Sequence, residues 1–331
     1  MSHTDEDQGI ADLIDALNNR TWKTRRQASD TLIKLGKPAV LPLMAAIRQS
    51  AFTVFTLPEA IRALGGIGDG QAVDLLIEEL ESRNVHAVQE AIEGLGHIGS
   101  PQAIPPLIDV LRHDWDDTET ITAWQKATTA LAAIGEPALP ALLTALLDED
   151  DNVRQGVAEA LGKLRDPRAV DPLINALQDE QSIVRAYAAD ALAELGDERA
   201  IEPLVALLTD EDWYVRARTL FALGQLGGPL VFAPLVSALE DQDSRVRSAA
   251  ASALGKLQDA RIHDVLLEVL SDPDGSVRSA AVLAFARVGD ERALPALIWI
   301  QQNDPGYAGA NKVKDHATYA IQRIQERQQK S

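Results

Sequence analysis

The run Asn152-Val-Arg-Gln-Gly-Val-Ala-Glu-Ala-Leu-Gly-Lys-Leu-Arg-Asp-Pro-Arg-Ala-Val-Asp-Pro-Leu-Ile returns through the second half of the chain. Its Val153-Arg154 pair recurs as Val184-Arg185, Val215-Arg216, Val246-Arg247 and Val277-Arg278, each Arg 31 positions after the last. A fixed period of this length marks stacked supersecondary units. Seven and ten positions beyond each Arg stand Leu161 and Leu164, Leu192 and Leu195, Leu223 and Leu226, Leu254 and Leu257, Phe285 and Val288. Those offsets share one face of a helix. A second apolar set follows in each period, beginning at Leu173 and Leu177, so each unit contains two helices.

The boundaries are legible as well. Asp150, Asp212, Asp243 and Asp274 stand where a carboxylate can accept the free N–H groups of a first helix, and second helices are predicted to begin near Asp166, Asp197 and Asp290. At Ser100-Pro101 and Asp166-Pro167 a cap is followed by proline, whose fixed φ and missing N–H suit the first helical position.

Earlier in the chain the pattern drifts. The marker position reads Arg25, Leu57, Val88, Trp124 and Arg154, at spacings of 32, 31, 36 and 30. After Arg278 the next marker is Lys314, followed by Ala317, Ile321 and Ile324 on one face. The sequence predicts an all-α, right-handed α-solenoid of about nine helix pairs with a C-terminal capping helix, because each pair can bury its apolar stripe only against its neighbours. It is read as a single domain over 1–331, with irregular units over 9–150, regular 31-residue units over 151–305 and a capping helix over 311–329.

The run at 152–174 resembles the phycobilisome-lyase type of HEAT-like repeat, and the resemblance covers almost the whole chain. It implies a family of bilin lyases, bilin-handling proteins and scaffolds without chemistry, so it speaks for the repeat more than for a function. Di-iron hydroxylases built on similar repeats carry tandem His-Glu pairs; this chain has no His-Glu dipeptide, which sets that activity aside.

Composition narrows the partner. A net charge of −19 opposes binding to a phosphate backbone, so nucleic acid is not the expected ligand. There are no cysteines for thiolate chemistry or disulfides. The first residues are polar and acidic, and no apolar stretch approaches the roughly 18 residues of a spanning helix, so a cytoplasmic protein with no membrane insertion is the expectation. The six histidines form no HExxH or close ligand cluster, and no metal site is expected. Nucleotide and hydrolase motifs are absent, and isolated glycines are read as helix closers.

Three groups of residues are candidates for function. The ladder of Arg154, Arg185, Arg216, Arg247 and Arg278 can either hold anions or pair with Asp148, Asp179, Asp210, Asp241 and Asp272, six positions before each; the second reading, a structural ladder, accounts for the joint recurrence. Irregular aromatics form the next group: Phe52 and Phe55, core or partner anchors; Trp115 in a lengthened loop; Trp124 in a marker position; and Trp213-Tyr214, anchors or stacking between turns.

The third group stands 21 positions after the markers, where second helices should point away from the packed face: Glu78, Asp109, Asn175, Ala206, Ser237, Glu268 and Trp299. The resemblance places second helices on a concave face, making this an acidic-to-neutral strip for another protein with a basic or amphipathic surface. A protein-binding scaffold or adaptor is therefore the leading expectation, with no catalytic residue and no cofactor. The alternative is a phycobilin lyase or bilin-protein chaperone acting on an antenna protein, with bilin as its ligand; the sequence supplies acids for it but no unique pair.

Overall fold

The computed structural model describes residues 3–112, 118–257, 259–304 and 312–329, and every regular element among them is helical. The chain divides into two compact units, 1–166 and 167–331. Unit 1 holds α1 (His3–Ala16), α2 (Trp22–Leu35), α3 (Val40–Arg48), α4 (Leu57–Ile67), α5 (Val73–Glu78), α6 (Val85–Ile98), α7 (Ile104–Val110), α8 (Thr118–Ile134), α9 (Leu139–Ala145) and α10 (Asp151–Leu164). Unit 2 holds α11 (Val170–Ala176), α12 (Ser182–Leu195), α13 (Ile201–Leu207), α14 (Trp213–Leu226), α15 (Phe232–Ser237), α16 (Ser244–Leu254), α17 (Ile262–Val269), α18 (Gly275–Val288), α19 (Leu294–Asn303) and α20 (Lys312–Gln328).

In both units first helices stack on first helices: α2 on α4, α6 and α8 onward to α10, and α12 through α14, α16 and α18 to α20. Each second helix rests on the first helix that follows it, as α7 does on α8 and α13 on α14. This is an α-solenoid. The capping helix lies where the spacing predicts, and Ala317, Ala320 and Ile324 bury its apolar face. One element was not foreseen. Helix α1 packs on α2 as a second helix would, ahead of the first pair.

The local chemistry explains the boundaries. Asp150, Asp212, Asp243 and Asp274 accept backbone N–H groups at the starts of α10, α14, α16 and α18, each cap contributing about 1 kcal/mol. Most second helices, α15 and α17 excepted, enter through a single 3₁₀ turn, such as Pro101–Ala103 or Glu198–Ala200, over which Ser100 and Asp197 act as caps. The α-helix proper therefore starts four residues after the acid: α13 at Ile201, α19 at Leu294. At the marker-plus-seven position Leu161, Leu192, Leu223, Leu254 and Phe285 are fully buried.

Glycine has a second use that the sequence reading missed. Besides closing helices, it lets first helices touch. A methyl group on Gly65 of α4 would lie 2.5 Å from Gly94 Cα of α6, and equivalent contacts join Gly224 to Ala253 and Gly255 to Ala284. The neighbour at Gly65 is backbone and cannot swing away, so α4 and α6 must separate to admit a side chain. Gly65→Ala is expected to cost about 1–3 kcal/mol in urea unfolding of the full chain. A loss under about 0.5 kcal/mol would mean that the helices part freely at this point.

The arginine ladder forms seams. In unit 2 each guanidinium donates inward to two carbonyls and forward to a carboxylate of the next repeat. Arg216 Nη1 donates to Asp210 O at 2.8 Å and Glu211 O at 3.2 Å, while Nε and Nη2 reach Asp241 Oδ2 and Oδ1 at 2.8 and 3.0 Å. Arg185 with Asp210, Arg247 with Asp272 and Arg278 with Asp304 repeat the arrangement. The acid six positions upstream thus supplies its carbonyl to its own Arg and its carboxylate to the preceding one. In unit 1, Arg154 donates to Asp148 O and Glu149 O, and Arg25 to Asn19 O and Arg20 O. Where Trp124 has displaced the marker Arg, Arg112 takes Asp148 instead, in a bidentate pair at 2.7 Å.

Candidate partner-binding surface

The marker-plus-21 residues are all exposed: Glu78 and Asp109 in unit 1, and Asn175, Ala206, Ser237, Glu268 and Trp299 in unit 2. The reason is the helical period. Leu75, Leu107 and Leu173 point inward, and the residues three or two positions on, Glu78, Asp109 and Asn175, fall on the outer side. In unit 1 the face has relief. A groove of about 360 Å³ between α5 and α7 has a floor of Ile77, Leu80, Pro105, Pro106 and Val110, with Glu78, Glu81 and Asp109 at its rim. Asp109 is held loosely by Arg112 at 3.4 Å. Beside the groove, burial pushes the Glu79 carboxyl up, and the neighbouring Glu78 adds to the shift.

An acid-rimmed groove with an apolar floor suits a lysine or arginine side chain, whose stem covers apolar surface while its head meets the carboxylates. In unit 2 the last second helix ends the series differently: Trp299 is 59% exposed and Ile298 stands half out beside it.

The aromatic candidates separate. Phe55 is 79% exposed and so is no core residue, whereas Phe52 is half-buried. Trp124 is a correction: at 6% exposure it is an interior residue and cannot anchor a partner. Its indole fits because Gly156 of α10 leaves room; a methyl group there would stand 3.1 Å from Trp124 Nε1 and 2.9 Å from Leu111. Trp213 is also partly withdrawn, with the Arg245 guanidinium 3.4 Å above its ring and Tyr214 edge-on at 5.7 Å. It stacks between turns. Trp115 lies outside the described residues. One exposed aromatic lies outside these candidates: Trp22, 67% exposed at the start of α2.

Acid titration should show two regimes. The Arg245 and Arg261 guanidiniums hold Asp243 and Asp259 down to about 2 from the usual 3.8, so the stability they bring is present above 3.8 and lost as pH falls through 2. Glu79 and Glu90 move the other way, raised from 4.5 first by burial and then by Glu78 and Glu93. Their contribution is present below 4.5 and lost as pH rises through the folded values. Thermal midpoints are expected to rise slightly from neutrality toward 4.5 and to fall below 3.8. A midpoint that declines steadily from neutrality would contradict the placement of Glu79 and Glu90.

Among the described residues no three His, Asp or Glu side chains are grouped to hold a metal ion, and no helix is long and apolar enough to cross a membrane. The repeat model for HEAT repeats matches residues 58–126, 124–186, 170–255 and 232–310. The chain belongs to the HEAT-repeat family. No curated protein matches this HEAT-repeat chain in sequence.

Among solved structures it is similar to the karyopherin Kap121p, at 12% identity and a TM-score of 0.67, over 96% of this chain and 42% of that one. Kap121p bound to Nup53p aligns at 13% identity and 0.68, over 96% and 41%. The HEAT-repeat chain thus spans about two fifths of Kap121p, and identities this low speak for the fold alone. An engineered protein aligns over 96% of this chain and 98% of its own, at 22% identity and a TM-score of 0.41.

Proposed function

We propose that this HEAT-repeat protein is a non-catalytic scaffold that holds a partner protein, with a basic or amphipathic segment of that partner on the second-helix face of unit 1. The carrying observation is the groove between α5 and α7, which joins an apolar floor to the exposed carboxylates of Glu78 and Asp109. The fold supports the reading, since Kap121p is seen with Nup53p bound. Neighbouring acids raise the local negative potential, so charge should act mainly on encounter.

Replacing Glu78 and Asp109 by Gln is expected to slow association of the copurified native partner by about three- to tenfold at low salt, with little change in dissociation. Equal association rates for wild type and variant at low and high salt would remove the acidic face from the account. The phycobilisome-lyase resemblance adds a bilin-handling reading, in which the same acids face pyrrole nitrogens. Free bilin mixed with the protein and an apo-antenna protein tests it: no change in absorbance or fluorescence disposes of that reading.

A further inference from the structure

We propose a second docking surface, on the edge of unit 1 where second helices end and first helices begin, for a partner segment that carries apolar side chains among carboxylates. The inference rests on reading the chain as a protein-binding scaffold, but it names a different face and a partner of opposite charge. Of the five joining segments on this edge, the first three make the patch: 17–21, 49–56 and 82–84. They contain Arg20 and Arg83 and no acid, and Arg48 closes α3 beside the second of them. The later equivalents, 146–150 in unit 1 and 208–212 and 241–243 in unit 2, read Leu-Leu-Asp-Glu-Asp, Leu-Thr-Asp-Glu-Asp and Asp-Gln-Asp. Within a chain of net charge −19, this patch is a local reversal.

Its apolar groups are uncovered. Trp22 and Val54 each stand three positions before a marker, and Trp22, Val54 and Phe55 are 67, 60 and 79% exposed. Unit 2 supplies an internal comparison, because Trp213 occupies the same register as Trp22. Arg245, two positions before its marker, covers Trp213; in the corresponding place beside Trp22 stands Phe55, itself exposed. The ring that unit 2 covers with its own arginine is left open in unit 1.

The display is also fixed in place. Asn18 Nδ2 donates to Ala51 O at 2.8 Å, Thr56 Oγ1 to Asn18 Oδ1 at 2.9 Å, and Asn84 Nδ2 to Val54 O at 2.7 Å. These bonds run from joining segment to joining segment. They turn polar groups of the 49–56 stretch inward and leave Val54 and Phe55 outward, so little ordering remains to be done on binding. With first helices about 8–10 Å apart, the patch spans on the order of 20 Å, the reach of a short extended peptide. Arg20, Arg48 and Arg83 form no ion pair among the described residues and remain open to carboxylates.

The probe is a display library of short random peptides panned on the full chain. Enriched peptides should combine Leu, Phe or Trp with Asp or Glu. Their affinity should drop about tenfold or more in Trp22→Ser/Phe55→Ser, and their association should slow at low salt in Arg20→Gln/Arg48→Gln/Arg83→Gln, with helix content checked by circular dichroism. Basic peptides, or peptides indifferent to both variants, overturn the proposal. If those peptides depend instead on Glu78 and Asp109, this inference fails while the scaffold reading stands; if nothing is enriched, both lose support. Self-association of the chain that Trp22→Ser/Phe55→Ser abolishes would make the occupant a second copy and overturn the proposal as stated.

Discussion

Arg278→Ala is expected to lower stability by about 3–5 kcal/mol and to release the C-terminal end of unit 2 first. The guanidinium sits between α18 and the end of α19, 2.6 Å from Asp304 Oδ2 and 2.9 Å from Asp272 O. Asp304 is only 2% exposed, so removing Arg278 leaves a carboxylate in the interior without its guanidinium. Solenoids gain stability between neighbours, and among the described residues α20 packs chiefly on α18 and α19. Hydrogen exchange should therefore show α19 and α20 opening before α12 and α14. Replacing both partners by apolar residues of similar size, Arg278→Met with Asp304→Leu, should recover most of the loss. Equal exchange in Arg278→Ala and wild type would show that the seam contributes nothing to holding the end.

The other large effect is Leu192→Ala, at about 2–5 kcal/mol. Leu192 is fully buried on α12, and Val184, Ala188, Ala189 and Ala191 around it are buried too. Small side chains and close backbones cannot move far to refill the space, which places the cost toward the upper end. Urea titration followed by far-ultraviolet circular dichroism measures it. A change under about 0.5 kcal/mol would mean that the site collapses readily and that the repeat register misassigns the core.

The regular half was legible because each repeat meets the same surroundings, so the sequence must answer the same question every 31 residues. Leu192 could be assigned from Leu161 and Leu223, and Asp274 from Asp212. Where surroundings change, the register stops informing. Trp124 stands in an arginine's place, and only packing against Leu111 and Gly156 shows that it turned inward. The groove between α5 and α7 was half visible: period alone puts Glu78 and Asp109 outside, but Ile77 and Val110 form its floor only once two helices lie side by side.

The glycine contacts have a trace in the sequence. Gly65, Gly96, Gly224 and Gly255 all stand eight positions past a marker, a recurrence no helix terminus requires. Helix α1 was missed for a different reason, since a lone second helix has no marker arginine to announce it.

The seams of unit 2 make its parts interchangeable. Asp210, Asp241 and Asp272 each accept from the arginine behind them and offer a carbonyl to the arginine ahead. A cut at any of these aspartates presents the same two bonding faces, so a duplicated block of 31 residues inserted there meets like against like on both sides. Copy number in this unit is thus open to change by recombination in a way that the joints of unit 1, each built from different residues, do not permit.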